Sequence, residues 1–175
     1  MKALRRIEPL DATAAVLPDY ELRFDGSEAS RLEPSAAFVH PRQRKEVHGV
    51  LYTLSAEDFS KVGRTEGVPF AYRWKKCKVY PYIGNGQEAG KEAIKTGEPV
   101  DDTYVLISPN LGDKHIPPSS SYLGLIKEGA INWGFDKSYQ EELQNVEEAK
   151  NLIIPQGLSG LLLQVAEAAT GTKRQ

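Results

Sequence analysis

The apolar residues of this chain change their spacing along its length, and that change constrains the fold more than any other feature. Short runs rich in Tyr, Val, Phe and Leu recur at residues 20–24, 36–40, 47–54, 70–82 and 103–108. Each has strand length and is bounded by turn-forming residues. After Pro117 the spacing lengthens to three and four, first in Tyr122, Leu123, Ile126 and Ala130, then in Tyr139, Leu143 and Val146, and finally in Leu158, Leu161, Leu162 and Val165. That period belongs to amphipathic helices. Strands first and helices afterwards predict an α+β fold rather than an alternating α/β one.

Within this frame the run at 47–54 is predicted to be central, because Val47, Val50, Leu51, Tyr52 and Leu54 occupy both parities. A strand apolar on both faces needs cover on both, as in a small barrel or a sheet backed by helices. In the longest run Phe70, Tyr72 and Trp74 share one parity and Cys77 and Val79 the other, so Lys75 and Lys76 are expected to mark a bulge. Ser55, with Asp58 three residues later, has the pattern of a helix cap, and Ala56, Phe59 and Val62 follow at helical spacing until Gly63. Ser119 or Ser120 is expected to cap the helix carrying Tyr122. The glycine-dotted stretch 83–102 reads as a solvated excursion between two strands.

At 175 residues, the chain has the size of one domain able to bury a core without metal or disulfide staples. Lys and Arg number 22 against 24 Asp and Glu, a formal charge of -2. Binding to nucleic acid, which draws on a basic excess, is not expected. Cys77 is the single cysteine, so no internal disulfide can form. No apolar run approaches the roughly 18 residues of a membrane span. Glu8, Pro9 and Asp11 interrupt what would otherwise begin as a signal peptide after Met1, Lys2, Arg5 and Arg6. A cytoplasmic protein without membrane partners is the expectation.

Few residues carry readable chemistry. His40, His48 and His115 are scattered without a ligand pattern, so metal is disfavoured, and His48 reads as a half-buried strand histidine. Cys77 lacks the partners of a catalytic thiol. Gly84, Asn85 and Gly86 form a turn signal without the lysine and helix of a phosphate loop. Glu66 stands between Thr65 and Gly67, where a helix has ended and a strand is about to begin, and a carboxylate there can face a sheet cavity. Tyr122 falls in the first turn of its helix, where a phenol can enter a neighbouring pocket. On residue type alone, a surface glutamate and core tyrosines at positions 72 and 122 are the commoner readings.

Several segments, in order, resemble the γ-glutamylcyclotransferase-like family. Residues 17–24 (Leu-Pro-Asp-Tyr-Glu-Leu-Arg-Phe) resemble its early strand, and residues 47–53 (Val-His-Gly-Val-Leu-Tyr-Thr) its central strand. The segment from Phe59 to Tyr72, with Glu66 and Gly67, resembles its acidic site segment. Pro117, Pro118, Ser119, Ser120, Ser121 and Tyr122, then Gly129, Ala130, Tyr139 and Leu143, resemble its final helical section. The resemblance implies a small mixed β-barrel with flanking helices over residues 1–150, and residues 151–175 as a C-terminal helical extension packed on it or on a partner. It implies a lyase-like reaction, needing no cofactor, that converts a γ-glutamyl amino acid or amine to 5-oxoproline and free amine. Glu66 matches the family's catalytic acid/base, while Tyr72 and Tyr122 match substrate-binding positions. The family's opening Tyr-Gly-Ser-Asn type loop, whose backbone amides cradle the substrate carboxylate, has no counterpart before Arg5. A domain lacking its first strand and that cradle is therefore expected, with the exposed edge covered by the chain's own termini or by a second protomer in a homodimer. The alternative from another class is a non-catalytic ligand-binding or interaction module on the same fold.

Overall fold

The structure is a computed structural model and describes residues 7–24, 34–109 and 115–149. Four strands, β1 (Asp11–Arg23), β2 (Phe38–Thr53), β3 (Arg73–Tyr82) and β4 (Val100–Ile107), form one antiparallel sheet in the order β2-β1-β3-β4. Four helices accompany it: α1 (Ala56–Thr65), α2 (Ala89–Thr96), α3 (Ser120–Asn132) and α4 (Lys137–Gln144). The α+β class follows the change of apolar period. The barrel does not: β2 and β4 approach each other, but no hydrogen-bonded ladder joins them, and the sheet is open. The expected extension at 151–175 and its apolar helix lie outside the described residues.

The centre of the sheet is β1, where Ala14, Ala15, Val16 and Leu17 are all buried. Ala14 and Val16 face one core with Tyr122, Leu123, Ile126, Ala130 and Leu143 of the helices. Ala15 and Leu17 face the other, with Val79 and the half-buried Leu51 and Val105 of the neighbouring strands. The sheet curls around this second cluster, so its concave side is filled by its own side chains. The segment 47–54, expected in the centre, instead lies on the edge strand β2. Its two covered faces come from the helices on one side and the curl on the other.

β2 also joins two expected strands into one of 16 residues. The residues between them, Pro41 to Lys45, are polar and exposed, so no alternation marks them as strand. Here the register against β1 shifts between Pro18 and Tyr20, Asp19 and Arg44 adopt positive φ, and the Asp19 carboxylate accepts the Arg44 N–H at 3.0 Å. That side-chain bond replaces a ladder bond at the bend, as bulges require. In β3 the register shifts between Cys77 and Val79 rather than at Lys75 and Lys76, and Phe70 to Tyr72 precede the strand in a turn.

The stretch expected to be a solvated loop contains α2, and that helix packs on β1 and β3. Its first turn is capped from a distance: Asp136, fully buried, accepts the N–H groups of Gly90 at 2.7 Å and Lys91 at 2.8 Å. In exchange, Glu88 at the start of α2 accepts the N–H and hydroxyl of Ser138 in the first turn of α4. Each helix thus has its orphan N–H groups satisfied by the residue that opens the other. The loop leaving β3 is fixed against the turn between α3 and α4, with Gly86 N–H donating to Gly134 O at 3.0 Å. A side chain at Gly84 would overlap the Trp133 carbonyl and come within 2.9 Å of Gly134 O. Backbone cannot yield there as a flexible side chain could. Gly84→Ala should therefore destabilise the fold by about 3 kcal/mol, the upper end for overpacking, read as a lower urea midpoint at unchanged slope.

Candidate functional site

Glu66 is placed by how α1 ends. Ser55 caps the helix start, its hydroxyl accepting Asp58 N–H at 3.1 Å, as the sequence pattern predicts. At the other end the Gly67 N–H reaches Arg64 O at 3.2 Å and the Val68 N–H reaches Gly63 O at 3.0 Å, with Gly67 at φ +70°. This pair of bonds around a left-handed glycine is the Schellman closure. Glu66 is the capping residue immediately before that glycine. The helix runs through Gly63, which does not stop it but lets the Trp74 indole lie close, 3.3 Å from where a Cβ would be. Phe59 stacks on the same indole at 4.4 Å. The helix axis, and with it Glu66, is thereby anchored on β3.

Glu66 is half-buried rather than enclosed in a cavity. Its charge reaches Tyr72: burial first, and the Glu66 carboxylate second, raise the Tyr72 phenol above the ordinary tyrosine value. Tyr72 is itself stacked on Phe38, with ring centroids 6.0 Å apart and planes 23° from parallel. Tyr122 is buried in the main core at 2% exposure, and its hydroxyl accepts the Ala37 N–H at 3.1 Å. Ser119 caps its helix by accepting the Tyr122 N–H at 3.2 Å. The three residues singled out in the sequence are thus linked through Ala37 and Phe38 at the start of β2. Phe38 was covered only as part of an expected strand, since nothing in sequence spacing pairs it with Tyr72.

A cleft of about 140 Å³ lies elsewhere, lined by Leu22, Phe24, Glu46, Tyr139, Leu143 and Val146 among others. It includes none of Glu66, Tyr72 and Tyr122. Near it, His48 is buried at 4% exposure, against the rings of Tyr82, Phe135 and Tyr139. The Tyr82 hydroxyl accepts the Asp136 N–H and is hydrogen-bonded to His48 Nδ1 at 2.7 Å. Nε2 has no hydrogen-bond partner among the described residues and stands 3.6 Å from Glu46 Oε1 and 4.0 Å from Asp136 Oδ2. Burial lowers the imidazole pKa to about 4, against the opposing pull of Asp136 and Glu88. His48 lies on a strand as expected, but it is fully buried rather than half-buried. Among the described residues no group of three His, Cys, Asp or Glu side chains could hold a metal ion, and no helix is long and apolar enough to cross a membrane. Burial raises the half-buried Cys77 thiol, opposite to what a nucleophile needs.

No family profile matches the chain. A curated relative, the γ-glutamyl cyclotransferase gliK of Claviceps purpurea, is 24% identical over 151 residues, covering 79% of this chain and 60% of the relative. The chain therefore spans about 60% of that protein's length. A solved γ-glutamyl cyclotransferase superposes with a TM-score of 0.69 at 20% identity, over 93% of this chain and 90% of that one. An uncharacterised protein from Homo sapiens gives 0.67 at 21% identity, over 87% and 85%. YkqA from Bacillus subtilis gives 0.57 at 22%, over 80% of this chain and 47% of its own. The chain has the γ-glutamylcyclotransferase-like fold, and its similarity to gliK supports the family resemblance drawn from its residues.

Two measurements follow from this geometry. Gly67→Ala meets both a left-handed backbone and the Ala71 Cβ at 3.1 Å, whereas Gly86→Ala, also at φ +70°, meets nothing within 4 Å. The first should cost about 2 kcal/mol and the second about 1 kcal/mol, as compared by urea unfolding. For His48, the unfolded imidazole titrates near 6.5 and the folded one near 4, so between these values the unfolded chain holds more protons and stability falls as pH falls. Across that window His48→Gln should remove about 2–3 kcal/mol of the pH dependence. Glu46, whose carboxyl pKa is raised by burial and which lies 3.6 Å from Nε2, is replaced by Gln in both backgrounds so that only the imidazole differs.

Proposed function

We propose that this chain acts on a small γ-glutamyl amino acid or amine, closing it to 5-oxoproline and releasing the amine, with Glu66 as the acid/base. The observation that carries the reading is the placement of Glu66 at the Schellman end of α1, with its charge felt by Tyr72. The fold likeness and the similarity to gliK support it.

In the reaction the substrate α-nitrogen attacks its own γ-carbonyl carbon. A C–N bond forms within the ring as the C–N bond to the departing amine breaks. The attacking ammonium loses two protons as it becomes the ring N–H; the Glu66 carboxylate takes each in turn and passes it to the leaving nitrogen, which departs as the ammonium form of the amine. No electrons leave the system and no co-reactant is consumed. The Tyr72 phenol, held protonated by burial, remains a hydrogen-bond donor for the substrate. Tyr122 contributes from the core side: its hydroxyl already accepts Ala37 N–H, so it shapes the wall of the site through β2. Much of the barrier is the entropy of folding the γ-glutamyl chain into its ring-closing conformer, and an ordered wall lowers that cost.

Incubation with γ-glutamyl-alanine, followed by detection of 5-oxoproline, tests the reading. Glu66→Gln keeps the size of the side chain and deletes its proton exchange, and should lower the rate about a thousandfold with an unchanged circular dichroism spectrum. Equal, background-level product from wild type and variant would remove the enzymatic reading. Saturable binding of γ-glutamyl-alanine without turnover would instead favour a ligand-binding module.

A further inference from the structure

We infer that Phe38 is a positioning residue for the Glu66 site: its ring sets the orientation of Tyr72 while the preceding peptide N–H sets that of Tyr122. The inference rests on the cyclisation reading above and extends it to a residue outside the proposed proton-transfer and substrate-binding set.

Three observations converge on Phe38. Its ring is stacked on Tyr72, with planes 23° apart, and it is itself buried at 8% exposure. A flat face of this kind restricts the rotation of a neighbouring phenol more than an aliphatic group of equal volume does. Second, the preceding residue, Ala37, directs its N–H to the Tyr122 hydroxyl at 3.1 Å, across 85 residues of sequence. Two consecutive residues therefore make the two tyrosine contacts, one by side chain and one by backbone. Third, the pair is fixed to the sheet where β2 starts, because Phe38 is in register with Arg23 at the end of β1. A residue tied to the central strand gives Tyr72, which immediately precedes β3, a second anchor besides its own strand.

The arrangement also accounts for the raised Tyr72 phenol. Phe38 supplies part of the apolar cover that burial requires, while the Glu66 charge adds to the effect. Removing the ring while keeping apolar volume should loosen Tyr72, admit water to its hydroxyl and leave Glu66 in place. The consequence for catalysis is weaker binding of the substrate rather than a loss of proton transfer.

Phe38→Leu in the full chain, assayed with γ-glutamyl-alanine, is the discriminating variant. It should raise KM about tenfold with kcat lowered by less than about threefold, and the Tyr72 signal in 13C-labelled-tyrosine NMR should titrate at lower pH than in wild type. Phe38→Tyr, which restores the flat ring, should recover most of the loss in KM. The same change made in a Tyr72→Ala background should have little further effect, as expected for residues acting as one unit. If wild type turns over but Phe38→Leu raises KM equally with and without Tyr72, or leaves the Tyr72 titration unmoved, the positioning role is overturned and the cyclisation reading stands. If wild type forms no 5-oxoproline, the reading of the site fails and the role inferred for Phe38 fails with it.

Discussion

Burial of β1 on both faces is the constraint from which the architecture follows. Four consecutive residues, Ala14 to Leu17, are out of water, and two of the four are alanines. Small side chains there let α2 approach one face, while Leu17 and Ala15 pack with Val79 on the other. A strand sealed in this way must be paired along both edges, which it is, by β2 along most of its length and by β3 at Ala14 to Val16. The open sheet is consistent with the same arithmetic. Val79 is buried here with Ala15 and Leu17, and the half-buried Leu51 of β2 and Val105 of β4 pack on the same cluster without a ladder between their strands.

The second organising device is polar. Asp136 and Glu88 each open one helix and cap the other, so α2 and α4 form a reciprocal pair of ends instead of two independent helices. Around that pair, buried groups are densely coupled: Asp136 N–H to Tyr82, Tyr82 to His48, and the His48 edge against Gly90, where an added Cβ would lie 2.5 Å from Cε1. A cluster of His, Asp, Glu and Tyr at these distances has the composition of a catalytic site. Its connectivity says otherwise. The Asp136 carboxylate is committed to two backbone N–H groups, the imidazole is packed between aromatic rings, and its charged form is disfavoured by burial. The cluster locks the helices to the sheet, and the proposed chemistry lies in a different set of residues.

The helices were legible wherever their signals are local. Ser55 with Asp58, and Ser119 with Tyr122, cap as their spacing implies, because both partners of each bond lie within one turn. The α+β order was legible for the same reason. Strand bounds were less so: residues 11–17 are rich in alanine and carry little β character, and residues 41–46 are too polar to show alternation, so β1 was read short and β2 as two strands. α2 was missed because its cap comes from Asp136, 46 residues away for Gly90, and no window on residues 83–102 contains that partner. Of the candidate site, Glu66 was marked by the glycine that follows it and by family resemblance. Phe38 carried no signal at all, since a stack on Tyr72 exists only once β2 and the turn before β3 are side by side.

The location of Glu66 shows how a general local rule can serve a particular chemistry. A Schellman closure needs a left-handed residue after the helix cap, and Gly67 supplies it without strain. The cap itself can be almost any residue, since its contribution to the closure is made by backbone. The position before that glycine is therefore fixed in space by backbone, at the end of a helix that packs on the Trp74 indole through Gly63 and Phe59. A carboxylate at such a point is placed by backbone bonds, which suits it to the acid/base role proposed for it. Tyr122 is in the opposite situation, because its hydroxyl is part of the packing and substitution would leave Ala37 N–H without its acceptor. In the proposed reading this division sets the acid/base on a backbone-made corner and ties the aromatic wall to the core at the start of β2.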